Sequence, residues 1–201
     1  MKKFIMASLI IGAIFFSACN SNSNSETMNS DSTSATMSSN DTNKMAPAPS
    51  ADTSKMVTVG DNAKDFSKDA AQGGMMEVQL GNIAMKNGGS QAVKDFGKMM
   101  VDDHTKINGQ LKDLASRKNV DLPTAVSDGQ QKDIDKMSKE TGKDFDKDYV
   151  SMMVKDHKND IDAFKKAEDK ISDADYKSFI SDALPTLEKH LAAIEAINKK
   201  M

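Results

Sequence analysis

The chain has 201 residues, which is enough for one globular domain with attached segments. Its net charge of −3 and its intermixed lysines and aspartates exclude the basic surface that nucleic-acid binding requires. Tryptophan is absent, aromatic residues make up 5% and methionine is frequent at 15 residues, so strand formers are scarce and an all-α protein is predicted.

The N-terminus has the pattern of an export signal. Two lysines precede an apolar run over residues 4–16, which is too short to span a bilayer stably. Small residues then lead to Cys19, the one cysteine of the chain, and the segment resembles a bacterial lipoprotein signal that is cleaved before an acylated cysteine. We therefore predict a signal peptide over residues 1–18 and lipidation at Cys19. A secretory signal with an incidental cysteine is the alternative.

The residues after Cys19 predict a tether. Residues 20–58 are mostly Ser, Asn, Thr, Asp, Ala and Pro, and such a segment cannot bury enough apolar surface to form a packed core. We predict a disordered tether over residues 19–58 that joins a folded domain, residues 59–201, to the membrane through Cys19. No acidic residue follows Cys19 directly, which favours a periplasmic location at the outer membrane over the inner membrane.

From residue 61 onward, apolar residues recur with the period of an α-helix. We predict long helices over about 61–87 and 90–118, with Asp61 and Ser90 as their N-caps, and over about 144–170, and a fourth that starts after Ser172 as its N-cap. Four long amphipathic helices predict a four-helix bundle. The Gly73-Gly74 pair within the first helix predicts close packing against a neighbouring helix.

The link between the second and third long helices is itself structured. Ser127 and Gln130 form a capping-box pattern that predicts a short helix within residues 119–143. A link of this length can travel the whole bundle. It therefore allows a ferritin-like crossover, in which the second and third long helices run parallel.

Four polar residues interrupt the apolar faces of the long helices, one on each helix: Glu77, His104, His157 and His190. With a rise of 1.5 Å per residue and the crossover, all four lie about 13 to 21 Å from the same end of the bundle. Buried charge without partners costs several kcal/mol, so these groups are expected to meet one another, a metal or water. One carboxylate and three imidazoles suit Zn, Fe, Mn or Cu. A hydrogen-bond network without metal is the alternative.

Two aspartates and two methionines accompany the histidines of the second and third long helices. Asp103 and Asp156 directly precede these histidines, where they either orient the imidazoles or are surface charges. Met100 and Met153 lie one turn before them, so their thioethers are possible additional ligands for a soft metal such as Cu(I). Methionine is also an ordinary gap-filling core residue, and that interpretation stays open.

Catalytic motifs are missing from the sequence. There is no Glu-x-x-His of the di-iron bundles, no HExxH, GxSxG or CxxC, and no glycine-rich phosphate loop. The pattern therefore predicts no catalytic residue and favours a metal-binding or envelope-stress module, or else a structural or interaction protein of the cell envelope. A metalloenzyme is the third and weakest hypothesis.

Several phrases of the sequence resemble one known family. AAQGGMMEVQLGNIA, MMVDDH, MMVKDH and LPTLEKHLAAI are similar to an uncharacterised bacterial family of exported or outer-membrane proteins, domain of unknown function 4142. The resemblance covers about residues 61–198 and implies a ferritin-like helical bundle. It implies no established activity, cofactor or partner. The positions that match its phrases are Glu77, Asp103, His104, His157 and His190.

Overall fold

Residues 59–201 are described by a computed structural model of the protein. The predicted signal peptide, the tether and Cys19 lie outside these residues. The described part contains five helices and no strand: α1 Asp61–Asn87, α2 Gln91–Arg117, α3 Asp128–Met137, α4 Gly142–Lys170 and α5 Ala174–Asn198. The all-α prediction is confirmed here. None of these helices combines the length and the apolar character that a membrane span needs.

The four long helices form a bundle with a ferritin-like crossover. α1 packs against α2 and α4, and α5 packs against the same two helices. Asp146 near the start of α4 accepts hydrogen bonds of 2.8 Å from the backbone N–H groups of Gly89 and Ser90 at the start of α2. α2 and α4 therefore begin at the same end and run parallel at opposite corners of the bundle, as predicted. The link that contains α3 carries the chain back along the bundle between them.

Two of the predicted helix starts have the expected caps, and two do not. The N-cap of α1 is Gly60, one residue before the predicted Asp61. The hydroxyl of Ser90 accepts the N–H of Val93, and Ser127 and Gln130 form the capping box of α3. The predicted cap Ser172 is wrong by one residue. Asp173 is the N-cap of α5, because its carboxylate accepts two backbone N–H groups of the first turn and also the Lys118 ammonium at 2.7 Å.

Two apolar clusters fill the bundle, one on each side of the layer that holds the four predicted polar residues. The methionine-free cluster lies at the end where α1 and α5 begin, and its buried aromatic residues are Phe66, Phe164, Tyr176 and Phe179. The methionine cluster lies at the other end, and its buried methionines are Met76, Met100, Met137 and Met153. The polar layer is therefore enclosed by apolar side chains above and below.

The glycines of α1 differ in what surrounds them. A Cβ added to Gly74 would lie 2.0 Å from Oδ1 of Asn108 on α2, whereas a Cβ on Gly73 would meet no atom within 4 Å. The predicted close packing is therefore right for Gly74 and wrong for Gly73. The closest approach of α1 and α2 lies elsewhere, at Gly81 and Gly97, where a Cβ on either residue would be 2.7 Å from the carbonyl oxygen of the other.

Candidate metal centre

The layer between the two clusters contains all four polar residues that interrupt the helical pattern. Glu77 is 4% exposed, His104 is 2% exposed, and His157 and His190 are fully buried. The centres of the three imidazole rings lie 5.2 to 5.9 Å apart. Each long helix thus contributes one polar side chain to one small volume in the middle of the bundle.

One nitrogen of each imidazole is fixed by a hydrogen-bond acceptor. The pairs are His104 Nδ1 with Glu77 Oε2 at 2.9 Å, His157 Nδ1 with the carbonyl oxygen of Met153 at 2.9 Å, and His190 Nε2 with Asp103 Oδ2 at 2.8 Å. A carbonyl or carboxylate oxygen only accepts, so each neutral ring carries its proton on the nitrogen in that bond. The hydrogen bonds therefore determine both the tautomer and the orientation of every ring.

The other nitrogen of each ring has no partner among residues 59–201. These atoms are His104 Nε2, His157 Nε2 and His190 Nδ1, and Glu77 Oε1 is unpartnered in the same way. One ring nitrogen from each histidine lies within 4.8 Å of those from the other two. In the neutral tautomers the unpartnered nitrogens present lone pairs. Buried acceptors without a donor are unfavourable, so the layer favours a cation, a proton or a water molecule.

The charges of the layer follow from burial and from these hydrogen bonds. Burial raises the pKa of Glu77, but the charge interaction and hydrogen bond with His104 outweigh it and hold the pKa below its usual range. Burial likewise opposes ionisation of Asp103, whose pKa is nevertheless lowered by the hydrogen bond from His190. Burial lowers the pKa of His157 and takes that of His190 to about 4. At neutral pH the layer therefore combines two carboxylates with at least two neutral imidazoles.

The remaining predicted site residues divide into those that reach the layer and those that do not. Asp103 binds His190, whereas Asp156 forms no hydrogen bond or ion pair with another described residue and lines a groove outside the layer. Burial, followed by the charge of Glu77, raises the pKa of Asp156 to about 6. Met100 and Met153 are fully buried in the methionine cluster, and Met153 reaches His157 through its backbone carbonyl.

Two titratable residues near the layer were missed by the search for interrupted helix faces. Tyr149 is fully buried, and its hydroxyl has no hydrogen-bond partner within residues 59–201. Burial, with a smaller contribution from Glu77, raises its pKa. Burial and the charges of Glu77 and Asp156 raise the pKa of Asp160 to about 8. The usable signal for Asp160 is its position one turn after His157.

The space beside His104 is small. A cavity of about 20 Å³ is lined by Glu77, His104, Asn108 and Asp160 among others. Phe96 contacts the rings of His157 and His190 edge-on, with ring centres 6.2 and 6.5 Å apart. A cavity of this size holds one water molecule and no organic substrate.

The donor set fits a transition-metal ion. Ligand bonds of about 2.0 to 2.1 Å in a tetrahedral site separate neighbouring ligand atoms by about 3.4 Å. One ring nitrogen of each histidine lies within 4.8 Å of those of the other two, so three imidazole ligands need only a small inward movement to reach this separation. Glu77 does not belong to this group, because its Oε2 accepts from Nδ1 of His104, on the other edge of that ring from Nε2.

Comparisons with known proteins agree with this architecture. A family model described as "Domain of unknown function (DUF4142)" matches residues 45–197. A solved structure titled "Crystal structure of DUF305 fragment from Deinococcus radiodurans" superposes with a TM-score of 0.63 and 9% sequence identity, covering 71% of this chain and 99% of that chain. At this identity the similarity shows the fold alone. No curated protein matches the chain.

Proposed function

The chain belongs to the DUF4142 family, whose description gives no activity, and we propose that it binds one divalent transition-metal ion in the polar layer between its four long helices. One observation carries this proposal. Every histidine of the chain lies in this layer, with one nitrogen held by an acceptor and the other left without a partner among the described residues.

The proposed ligands are the unpartnered nitrogens of the three imidazoles, His104 Nε2, His157 Nε2 and His190 Nδ1. Glu77 accepts the N–H of His104 through Oε2, so it orients that ring from the side away from the ion. A histidine that binds a metal ordinarily donates its other N–H to a carboxylate or a backbone carbonyl. All three rings have such an acceptor already, which supports a site that is organised before the ion arrives.

The charge of the layer supports a cation. The lowered pKa of Glu77 places one negative charge inside the layer at neutral pH. A cation offsets this charge in an interior where unbalanced charge is costly, whereas the ionised Asp103 is one-third exposed and 3.9 Å from the Lys189 ammonium. Imidazole with carboxylate suits Zn²⁺, Fe²⁺, Mn²⁺ and Cu²⁺, and these four ions are the candidates.

The small cavity supports binding over catalysis. A space of about 20 Å³ beside Glu77 and His104 has room for a water ligand and excludes an organic substrate from the ion.

The pattern of the N-terminus supports a further proposal about where the domain lies. A lipidated Cys19 would tether this metal-binding domain to the outer membrane from the periplasmic side.

A hydrogen-bond network without metal is the second candidate, and the three existing imidazole hydrogen bonds favour it. With a water molecule in the small cavity, such a network would specify how the helices align. The domain would then serve a structural or interaction role in the cell envelope.

Metal titration of the purified chain separates the two candidates. Cys19→Ser removes the one thiol, and Co²⁺ and Zn²⁺ are added to the metal-free protein in mild detergent. We expect one ion per chain, tetrahedral-type Co²⁺ absorption bands and a rise in Tm, because an ion at a thousandfold excess over Kd adds about 4 kcal/mol of stability. The double variant His104→Leu with His157→Leu should lose all three signals. A parent chain that binds none of Zn²⁺, Fe²⁺, Mn²⁺ or Cu²⁺ contradicts the metal proposal.

Nitrogen NMR of the imidazoles gives an independent test, because the chain has three histidines and all belong to the layer. In the metal-free protein we expect the Nδ1–H tautomer for His157, the Nε2–H tautomer for His190 and a proton on Nδ1 of His104. Metal binding should move the signals of the three nitrogens that have no acceptor. Unchanged signals in the presence of metal would favour the network instead.

A further inference from the structure

The polar layer is connected to the outside of the bundle at Glu77. A groove of about 550 Å³ runs between α1, α3 and α4, and the side chain of Glu77 lines it. Glu77 also lines the small cavity beside His104. Gly73 and Asp160 border both spaces. These three residues therefore mark the place where the outer groove and the inner cavity meet.

Gly73 leaves an opening at this place. It lies one turn before Glu77 on α1, and a Cβ added to it would meet no atom within 4 Å. Its neighbour Gly74 is different, since the Asn108 side chain fills the space next to it. A side chain at Gly73 would therefore extend from this open position into the gap beside Glu77.

The groove is acidic along its length. Five carboxylates line it against two lysines: Glu77, Asp133, Asp148, Asp156 and Asp160 against Lys136 and Lys155. Asp160, with its pKa raised to about 8, is mostly protonated at neutral pH, so two negative charges are unbalanced until a cation displaces that proton. Lys136 already pairs with Asp148 at 2.9 Å. Asp156 and Asp160 lie one turn apart on α4, are half-buried, and form no ion pair within the described part of the chain.

An acidic cluster alone does not define a site, and here Glu77 provides the second observation. Its side chain is more than nine-tenths buried, it lines the groove, and its Oε1 has no hydrogen-bond partner within residues 59–201. The same oxygen is 3.6 Å from His157 Nε2. Glu77 thus contacts the groove on one side and the histidines on the other.

We propose that this groove is the entry route of the metal ion, with Asp156, Asp160 and Glu77 forming an outer cation-binding site from which the ion passes to the three histidines. Hard carboxylate oxygens attract a hydrated divalent cation, and a negative groove raises its local concentration and its rate of entry. Glu77 transfers the ion because its two oxygens serve different partners. Oε2 holds His104 while Oε1 is free to bind the ion. The proposal rests on the metal-binding function stated above.

The rate of metal loading tests the route. The metal-free Cys19→Ser chain is mixed with Co²⁺ in a stopped-flow instrument, and the absorption of the imidazole-bound ion is followed. Release is followed separately after addition of excess chelator. Gly73→Leu should slow loading and release by the same factor, at least tenfold, while the equilibrium affinity stays within threefold of the parent. A blocked passage changes both rates equally, whereas an altered ligand set changes affinity.

Gly109→Leu is the matched control. Gly109 lies within α2, and a Cβ there also meets no atom within 4 Å. Its side chain would lie away from the groove, so loading at the parental rate is expected. If Gly73→Leu loads Co²⁺ as fast as Gly109→Leu, the route is wrong while the metal site stands. If the parent chain binds neither Co²⁺ nor any of Zn²⁺, Fe²⁺, Mn²⁺ and Cu²⁺, both proposals fail together.

A second pair of variants tests the carboxylates. Asp156→Asn with Asp160→Asn should slow loading at least fivefold at low ionic strength, and the difference from the parent should shrink at high salt because charge attraction is screened. The control Asp133→Asn removes one outer carboxylate at the α3 side and should have a smaller effect. A double variant that loads at the parental rate at low salt overturns the outer site, whatever Gly73→Leu does.

Discussion

The two apolar clusters on either side of the polar layer are packed by different means. In the methionine-free cluster, Phe66 contacts three aromatic rings edge-on, with ring centres 4.9 to 6.5 Å apart: those of Phe164, Tyr176 and Phe179. The hydroxyl of Tyr176 is also hydrogen-bonded to Ser67 at 2.8 Å. Aromatic side chains with few rotamers and directed contacts make this end of the bundle the more sharply specified one.

The methionine cluster achieves its packing through flexible side chains and close backbones. Its four buried methionines have three rotatable bonds each and adapt to irregular space. The backbones of α1 and α2 approach most closely here, at Gly81 and Gly97. The histidines thus lie between a well-defined apolar cluster and an adaptable one, which permits the small inward movement of the rings that the proposed metal binding would require.

The largest expected loss of stability follows from a substitution in the methionine-free cluster. Phe66→Ala should lower the free energy of unfolding by about 4 kcal/mol, because it leaves a cavity among rings that cannot collapse into it. Met100→Ala, on the other side of the layer, should lower it by only about 2 to 3 kcal/mol, since neighbouring thioethers can fill part of the space. Urea denaturation of the metal-free chain measures both values. If Met100→Ala lowers the free energy of unfolding by as much as Phe66→Ala or by more, the proposed difference in packing between the two clusters is wrong.

The layer that separates the clusters should make the metal-free protein sensitive to acid. The pKa of His190 is about 4 in the folded protein and about 6.5 when unfolded. Between these values the unfolded chain binds the proton and the folded one does not, so stability falls as the pH is lowered. His190 alone should account for about 3 kcal/mol between pH 6.5 and 4.

This effect is measured by comparing the metal-free parent chain, treated with chelator, with a variant that lacks the titrating imidazole of His190. Urea unfolding at several pH values should show the loss in the parent chain, and His190→Gln should reduce its slope because the amide does not titrate. The two other histidines and the carboxylates remain in both proteins and serve as the background. Parallel curves for parent and variant would show that His190 does not titrate as its burial implies.

A pair of glycine substitutions tests the close backbones of the methionine side. Gly97→Ala places a Cβ 2.7 Å from the carbonyl oxygen of Gly81, so we expect a loss of about 2 kcal/mol from overpacking. Gly73→Ala fills open space in a helix and should gain up to about 1 kcal/mol through helix propensity. Thermal unfolding followed by circular dichroism compares the two. A neutral Gly97→Ala would mean that the helices separate easily at this point.

The sequence alone predicted the bundle, the crossover and the polar layer for identifiable reasons. Four long periodic segments and one capping box predict the helices, and a link of about 25 residues allows the parallel arrangement of α2 and α4. A single polar residue on each apolar face, at similar depth, predicts that the four side chains meet. These features depend on spacing within one helix, which can be read directly from the order of residues.

The details that the sequence did not predict depend on which side chains a neighbouring helix brings into contact. Asp103 and Asp156 have the same position relative to their histidines, yet Asp103 faces His190 on α5 while Asp156 faces the groove beside α3. Gly73 and Gly74 are adjacent, and a rotation of about 100° around the helix leaves one open and packs the other. Which nitrogen of each ring stays free likewise depends on the acceptor that another part of the structure supplies.

The smallest expected effect is that of the methionine thioethers, and it decides whether the methionine cluster contributes to the proposed metal site or only packs around it. Met100→Leu combined with Met153→Leu keeps the apolar volume and removes both thioethers, so the free energy of unfolding should change by less than about 1.5 kcal/mol. The hydrogen bond from His157 to the backbone of Met153 is unaffected by the substitution. Co²⁺ and Zn²⁺ affinities within threefold of the parent are therefore expected. A tenfold loss of affinity for Cu⁺ with unchanged stability would instead make the thioethers ligands, and the cluster would be part of the site.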